Sequence, residues 1–258
     1  MAVRPVADVL VADHDGVRVV PLANPAKRNA LTRGMLDELV RAVSGSSMDV
    51  GVRAIVLRGH GAVFSAGFDI ASINDDERDR GLDPIEAPAQ AIEESRVPVI
   101  AAIDGACMGG ALELAMACTM RVASSRAIFA MPPARLGLVY SARGLSRFLR
   151  ALSPSRVQRM FLAGERLDAA TALSWGLVDH VGDDATGEVV DEGVRLARVI
   201  AGNAPLAVAG MLDGIRRLSR GEATTAIDAA REATLASEDL AEGVRAFLEK
   251  RAPVFRGR

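Results

Sequence analysis

Aromatic residues are scarce in this sequence, with one Trp and one Tyr among 258 residues. The side chains that usually stack on single-stranded bases are therefore missing. Neither charge is in excess, because 31 Lys and Arg residues against 33 Asp and Glu residues give a net charge of -2. Such a chain has no field for attracting nucleic acid or an anionic membrane. We expect neither as a partner.

Cysteine is also rare, since only Cys107 and Cys118 occur. Two cysteines are too few for a disulfide scaffold and favour a reduced, cytoplasmic setting. The start of the chain, MAVRPVADVL, lacks the basic region and apolar run of a signal peptide. No apolar stretch approaches the roughly 18 residues of a membrane span. We expect a soluble cytoplasmic protein.

Histidine is the third scarcity, with His14, His60 and His180 far apart in the sequence. None has a carboxylate or Cys at metal-ligand spacing, so we expect no metal site. No G-x-G-x-x-G pattern stands between a strand and a helix, which excludes the usual dinucleotide fingerprint. VFSAG (63–67) resembles a nucleophile elbow around Ser65, but Val63 stands where that turn needs Gly. A serine hydrolase is therefore a minor alternative.

What is abundant is aliphatic, because half of the residues are hydrophobic and a quarter are charged. This balance is typical of a globular protein with a sizeable core. Residues 7–23 predict a β-hairpin around Gly16, and Thr32 is a candidate N-cap of the helix that follows. Short β-branched runs at 52–59 and 97–105 predict buried strands, so the fold class is α/β.

Two further parts of the chain lack the residue pattern of strands. The charged, Asp- and Gly-rich stretch 71–90 reads as a surface loop beside a site. After about residue 150 only helices are expected, including a helix pair that ends near Gly176. We divide the chain into a core, 1–200, and a helical C-terminal module, 201–258.

Two loops, FSAGFDI (64–70) and CMGGALEL (107–114), follow predicted buried strands. Ligands in open α/β sheets bind at such strand ends, and small residues let them approach the backbone. Two unpaired N–H groups converging there would form an oxyanion hole for a thioester carbonyl that becomes an enolate.

Glu113 lies within the second loop and has two interpretations. With Gly110 as N-cap, Glu113 would occupy the third helical position, where Glu is favoured for capping alone. Its apolar neighbours, such as Leu112 and Leu114, instead indicate a buried carboxyl with a raised pKa, which suits proton transfer.

These segments together resemble the crotonase, or enoyl-CoA hydratase/isomerase, superfamily. The matching elements occur in family order over nearly the whole chain: NPAKRNALT, FSAGFDI, DGACMGGALELAMAC, AIFAMPPARLGL, ERLDAATALSWGLVDHV and SEDLAEGVRAFLEKRAPVF. The resemblance implies a spiral of ββα units with a C-terminal helical trimerisation region. It also implies homotrimers or dimers of trimers and an acyl-CoA substrate, with coenzyme A entering as part of the substrate and no separate cofactor.

The resemblance also assigns roles to residues. The oxyanion-hole N–H groups would belong to Phe68 and Gly110, and Glu113 would be a catalytic acid/base. Coenzyme A would bind along Lys27, Arg28, Ala30, Ala66, Asp69 and Ile70. Lys27 and Arg28 are also candidate phosphate partners on charge grounds.

One position departs from the hydratase pattern, because Pro133 stands where those enzymes carry a second catalytic Glu. Proline transfers no proton, so a water-adding mechanism that needs two carboxylates is disfavoured. The closest likeness is to the methylmalonyl-CoA decarboxylase branch, which has a Tyr at the position of Tyr140, the second catalytic candidate. Phe68 stands where that branch has His, yet a hole made from backbone N–H survives this change. Arg143 is a further candidate for binding a substrate carboxylate.

The expected function is therefore that of a lyase or isomerase acting on acyl-CoA through a thioester enolate. Decarboxylation of a malonyl- or methylmalonyl-type CoA and enoyl-CoA isomerisation rank level. Hydration by Glu113 alone ranks third, and a non-catalytic acyl-CoA binder is the alternative outside enzymes.

Overall fold

The computed structural model describes residues 12–46, 49, 51–70, 83–182, 188–223 and 225–258. Its strands are β1 (Ala12–His14), β2 (Val17–Leu22), β3 (Ala54–Gly59), β4 (Val99–Ile103), β5 (Ala106–Met108), β6 (Met120–Ser124), β7 (Ile128–Ala130), β8 (Arg166–Asp168) and β9 (His180–Gly182). Its α-helices are α1 (Arg33–Ser46), α2 (Glu86–Glu94), α3 (Gly110–Ala117), α4 (Ala142–Leu149), α5 (Pro154–Phe161), α6 (Ala169–Trp175), α7 (Glu188–Ala201), α8 (Pro205–Ser219), α9 (Thr225–Leu235) and α10 (Glu238–Glu249).

The strands form two sheets. The larger has the order β1-β2-β3-β4-β6-β9, with β1 antiparallel to β2 and the other pairs parallel. The smaller has the order β5-β7-β8, with β5 and β7 parallel and β8 antiparallel. Strands β3 and β4 follow apolar runs that the sequence marks as buried on both faces, and four of the six residues of β3, Ala54–Leu57, are fully buried.

Each face of the large sheet has its own core. On one face, alternating residues such as Ala54, Val56 and Ala102 pack against α7. Gly193 of α7 fits closely there, because a Cβ would lie 3.1 Å from that of Ala102. The other face, with Ile55 and Leu57, packs against a larger cluster that includes α1, α2 and α3. This second core fixes the position of α3.

Local signals in the N-terminal part of the chain are confirmed. The β1–β2 hairpin turns at Asp15 and Gly16, whose φ angles are 51° and 78°. Thr32 accepts a hydrogen bond from the Met35 N–H at 3.3 Å, as its predicted capping role requires. The predicted end of a helix near Gly176 is also confirmed, since Gly176 has a φ of 78° and caps α6.

Three expectations need correction or completion. Strands do not stop at residue 150, because β8 and β9 each add three residues to a sheet edge. Within the predicted loop 71–90, α2 already begins at Glu86, while 71–82 lie outside the described residues. The division at residue 200 stays a prediction, although helices α8–α10 do follow it. Among the described residues, no helix is both long and apolar enough to cross a membrane.

Candidate active site

The two glycine-containing loops lie side by side. Ser65 and Cys107 form a parallel bridge, with the Ser65 N–H donating to Ala106 O at 2.9 Å and the Met108 N–H donating to Ser65 O at 3.1 Å. Gly67 adopts a φ of 95°, and a Cβ on it would lie 2.8 Å from the Met108 carbonyl oxygen. Only glycine allows this approach. The bridge therefore holds the chain after Gly67 beside the start of α3.

At this junction, two N–H groups have no acceptor among the residues that the structure describes. Phe68 forms a bridge with Leu31, but the bonds of that bridge involve the N–H groups of Leu31 and Asp69. Gly110 is the first residue of α3, so its N–H has no acceptor within the helix. Among the described residues, neither the Phe68 nor the Gly110 N–H has a hydrogen-bond acceptor. Both predicted oxyanion-hole donors are therefore available to a ligand.

Helix α3 begins one residue earlier than predicted. Its N-cap is Gly109, with a φ of 53° and a ψ of -125°, and the Glu113 N–H donates to Gly109 O at 3.1 Å. Glu113 is thus the fourth helical residue, and no side chain caps the helix. The capping interpretation of Glu113 is wrong, because its carboxyl does not reach back to the helix start. The backbone conformation of Gly109 is one that glycine adopts readily. The N-cap therefore lies at Gly109 rather than at Gly110.

The Glu113 side chain is completely buried, as its apolar neighbours predict. Its carboxyl accepts a short hydrogen bond from the Tyr140 hydroxyl and one from Arg147 Nη1 at 2.6 Å. Burial raises the pKa of Glu113, whereas the Tyr140 hydrogen bond and the Arg147 charge act in the opposite direction. The net pKa is raised, which suits an acid/base group.

Tyr140 is held in place by packing around the start of α4. Its ring packs edge-on against Phe161, with centroids 5.3 Å apart. Ser141 caps α4 by accepting the Gly144 N–H at 3.1 Å. A Cβ on Gly144 would lie 2.5 Å from the Tyr140 ring and 3.0 Å from Glu113 Oε1. The absence of a side chain at Gly144 therefore makes room for the contact between Tyr140 and Glu113.

Arg147 is the site residue that sequence reasoning missed. It lies on α4 three residues after Gly144, so both face the same side of that helix, whereas Tyr140 precedes the helix and its N-cap Ser141. No signal in the sequence separates Arg147 from the other arginine of this helix, Arg143. Arg143, the residue considered instead, is exposed over 68% of its side chain and pairs with Glu86 at 3.0 Å. The structure thus brings Arg147, rather than Arg143, to Glu113.

Contacts between the turn 27–30 and the loop around Phe68 join five of the six predicted coenzyme A residues. Lys27 Nζ pairs with Asp69 Oδ2 at 2.7 Å, and the Ala66 N–H donates to Arg28 O at 3.0 Å. The Ala30 N–H donates to Lys27 O at 3.1 Å, which closes the turn. Ile70, next to Asp69, is 51% exposed. These contacts bring Lys27, Arg28, Ala30, Ala66 and Asp69 together, and Asp69 balances the charge of Lys27.

The remaining candidates do not join the site as acids, bases or ligands. Pro133 begins a 3₁₀ turn, Pro133–Leu136, and is buried there. Ser65 is buried, and its Oγ accepts the Gly67 N–H at 3.1 Å, which gives it a structural role in the loop. Within the described ranges, no group of three or more His, Cys, Asp or Glu side chains is placed to hold a metal ion.

Comparison with known proteins identifies the family. The family model for enoyl-CoA hydratase/isomerase matches residues 12–258. The chain belongs to the enoyl-CoA hydratase/isomerase family. Relatives within the family include a probable enoyl-CoA hydratase of Bacillus subtilis, 35% identical over 93% of this chain and 95% of that protein. Methylmalonyl-CoA decarboxylase of Escherichia coli is 33% identical over 96% of this chain and 98% of its own.

The fold of the family is found as well. A crystal structure of an enoyl-CoA hydratase/isomerase family protein from Hyphomonas neptunium superposes with a TM-score of 0.91. It has 32% sequence identity and covers 98% of both chains. The expected crotonase-type α/β architecture with C-terminal helices is confirmed.

Proposed function

We propose that this chain converts acyl-CoA thioesters through an enolate, with Glu113 as its single acid/base. The observation that carries the proposal is the fully buried Glu113 carboxyl bonded to Tyr140, three residues after the unused Gly110 N–H. Membership of the enoyl-CoA hydratase/isomerase family supports the acyl-CoA substrate. Lys27, Arg28, Ala30, Ala66, Asp69 and Ile70 are proposed to line the path of coenzyme A.

The chemistry follows from two parts of the site. The Phe68 and Gly110 N–H groups would donate to the thioester oxygen as it gains negative charge, which stabilises the enolate more than the ground state. Because the enolate is stabilised, the proton on the carbon next to the thioester becomes removable by a carboxylate. Glu113 is the proposed base for this step.

The acid/base inventory favours proton transfer between carbons over addition of water. The position of the second hydratase carboxylate is occupied by Pro133, which is buried in a turn. Glu113 alone can take a proton from the second carbon of a 3-enoyl thioester and return it to the fourth. The double bond moves into conjugation, and no atom is gained or lost. Isomerisation therefore needs only one acid/base carboxyl, which is the role proposed for Glu113.

The hydroxyl of Tyr140 supports isomerisation over decarboxylation. Its proton is donated to Glu113 Oε2, so it presents only oxygen lone pairs to a substrate. Lone pairs would repel a substrate carboxylate rather than orient it. We therefore place isomerisation first.

Decarboxylation is the second candidate because of the pattern of residues. Tyr140, Pro133 and the 33% identity to the Escherichia coli decarboxylase support it. In that reaction the bond between the carbon next to the thioester and the carboxylate carbon breaks. Carbon dioxide leaves, and the electron pair of the broken bond forms the enolate. A proton then reaches the same carbon from protonated Glu113.

The test is a panel of 2-enoyl-, 3-enoyl- and methylmalonyl-CoA, with products followed by chromatography and by absorbance of the conjugated thioester. Formation of 2-enoyl-CoA from 3-enoyl-CoA, lost in Glu113→Gln, is the expected result. Rapid hydration of 2-enoyl-CoA that depends on Glu113 would overturn this ranking of the three reactions. Binding of coenzyme A by calorimetry with no turnover of any thioester would identify a non-catalytic binder.

Assembly into a homotrimer or a dimer of trimers is also proposed. Its support is the unpaired apolar face of α10, where Phe247 is 83% exposed and Leu248 is 75% exposed. Burial of such side chains between copies is favourable. Light scattering of the purified protein is the measurement, and a monomer at micromolar concentration would contradict the proposal.

A further inference from the structure

One guanidinium joins three carboxylates behind the site. Arg147 Nη1 lies 2.6 Å from Glu113 Oε1 and 2.9 Å from Glu86 Oε2. Its Nη2 lies 3.2 Å from Glu86 Oε1 and 3.2 Å from Glu93 Oε2. The Arg147 side chain is 2% exposed, so this is a buried contact between α4 and the helices α2 and α3.

The geometry leaves the guanidinium little freedom. Glu86 and Glu93, which both lie on α2, bind both terminal nitrogens of Arg147, and Glu113 shares Nη1 with Glu86. A planar guanidinium bound at both terminal nitrogens has one orientation. Arg147 therefore presents a fixed positive charge to Glu113 before any substrate arrives.

A fully buried carboxylate needs such a charge. Removal from water favours the neutral acid, and a single hydrogen bond from Tyr140 offsets only part of that cost. A cation within contact distance favours the charged form. A base in isomerisation has to be ionised when substrate binds.

We propose that Arg147 is a positioning residue that keeps Glu113 ionised and in one rotamer, so that Glu113 acts as a base in the resting enzyme. The proposal rests on the proposed function of Glu113 as the acid/base. It adds a source for the ionised state, which is the guanidinium that α4 places against the Glu113 carboxyl.

The charged and titratable groups around Glu113 act in both directions. Tyr140 and Arg147 favour the ionised carboxylate, while the negative charge of Asp83 disfavours it. Glu86 and Glu93 add negative charge at the same guanidinium. The outer arginines of the same cluster pair with those two carboxylates and do not contact Glu113: Arg143 with Glu86, and Arg150 and Arg220 with Glu93.

Electrostatics therefore predicts opposite effects for two substitutions. Arg147→Met removes the positive charge, and Glu113 should become harder to ionise. Glu86→Gln removes a negative charge from the same cluster, and Glu113 should become easier to ionise. If the two residues contributed only to the stability of the fold, the two substitutions would not shift the ionisation of Glu113 in opposite directions.

The experiment is infrared difference spectroscopy of the full-length protein across a pH series. The band of the protonated Glu113 carboxyl is assigned by its loss in Glu113→Gln. We expect its midpoint to move upward by about one pH unit or more in Arg147→Met. It should move downward in Glu86→Gln. Arg147→Lys, which keeps the charge, should remain closer to the wild type than Arg147→Met.

The control is Arg150→Met, which removes an arginine from the same cluster without a contact to Glu113. Its midpoint should stay near that of the wild type. An unchanged midpoint in Arg147→Met would overturn the proposal. If Arg147→Met does not fold, an unchanged or raised midpoint in Glu86→Gln would overturn it instead.

The readout is independent of turnover. A titration that follows these signs in a protein with no activity on any thioester would leave the role of Arg147 intact and reject the proposed function. Activity that depends on Glu113, together with a midpoint that does not change in Arg147→Met, would support the proposed function and reject the role of Arg147.

Discussion

Arg147 and Glu113 are in direct contact, with Nη1 and Oε1 2.6 Å apart and both side chains buried. They are separated by 34 residues in the sequence and lie on different helices. Breaking a buried ion pair by removing one partner is far more costly than breaking an exposed one. The contact therefore links the stability of α3 and α4 to the protonation of the proposed base.

The first prediction concerns Glu113 itself. In Glu113→Gln, kcat for the productive thioester should fall by about 10²–10⁴, since general acid/base catalysis contributes that much. The coenzyme A path along Lys27 and Asp69 is untouched, so calorimetry should find coenzyme A binding unchanged. Steady-state kinetics and calorimetry on one preparation are the measurements. A variant with nearly full kcat would remove Glu113 from the mechanism.

The second prediction concerns the hydroxyl of Tyr140. Tyr140→Phe keeps the ring packed on Phe161 but removes the donor to Glu113. A hydrogen bond to a charged group contributes about 1.5–3 kcal/mol. Because the lost donor favoured the ionised form, the acid limb of the kcat/KM profile should move to higher pH. The measurement is that profile for both proteins, and an unmoved limb would contradict the role of the hydroxyl.

The third prediction concerns the space at Gly144. Gly144→Ala places a Cβ 2.5 Å from the Tyr140 ring, so the ring must leave Glu113 or the helix must shift. Overpacking of this kind costs about 1–3 kcal/mol. Activity should fall at least as far as in Tyr140→Phe.

The matched control is Gly45→Ala, an exposed position in α1 where a Cβ meets nothing within 4 Å. That change should be neutral or stabilise the protein by up to about 1 kcal/mol. Chemical denaturation and kcat of both variants are the measurements. Equal behaviour of the two variants would show that the Tyr140 contact with Gly144 does not matter.

The fourth prediction tests the loop that carries Phe68. Gly67→Ala has to accept a φ of 95° and a Cβ 2.8 Å from Met108 O, which should displace the Phe68 N–H. Loss of one oxyanion donor lowers kcat by about 10²–10³. Gly61→Ala is the control, because Gly61 also has a positive φ, 68°, but open space around its Cβ. Gly61→Ala should destabilise the protein with little loss of kcat. Similar kinetics in Gly67→Ala and Gly61→Ala would argue against the proposed oxyanion hole.

The fifth prediction is a pH dependence of stability. Burial raises the pKa of Glu113. Its contribution to stability is thus full below the unfolded pKa of Glu, about 4.3, and is lost as pH rises through the folded pKa. The free energy of unfolding of Glu113→Gln should therefore increase relative to the wild type as pH rises over that window.

Glu86 provides the opposite sign. The hydrogen bond from Arg147 holds the pKa of Glu86 below its usual range. Its contribution to stability is present above the unfolded pKa and is lost as pH falls through the folded pKa. Urea unfolding of Glu86→Gln and Glu113→Gln at several pH values should give slopes of opposite sign relative to the wild type. Parallel slopes would contradict the assigned directions.

Each of the following differences between prediction and structure has its own physical reason. Strands β8 and β9 are three residues long, which is too short for an alternating pattern to emerge. The start of α3 moved to Gly109 because two adjacent glycines offer two possible caps, and only the packed backbone selects one. Arg147 reads in the sequence as one more arginine of an amphipathic helix.

The sequence by itself determined the local features. These are the hairpin at Gly16, the cap at Thr32, the small residues after buried strands, and an apolar surrounding for Glu113. Local signals suffice for them because each depends on backbone conformation or on neighbours within one element. The tertiary structure alone decided which groups meet Glu113. Arg147 reaches it from α4, and Tyr140 reaches it from the segment before α4. The spacing of these residues along the chain does not encode the packing that brings them together. The proposed chemistry depends on that meeting, because a buried carboxyl takes its protonation state from the charges packed against it.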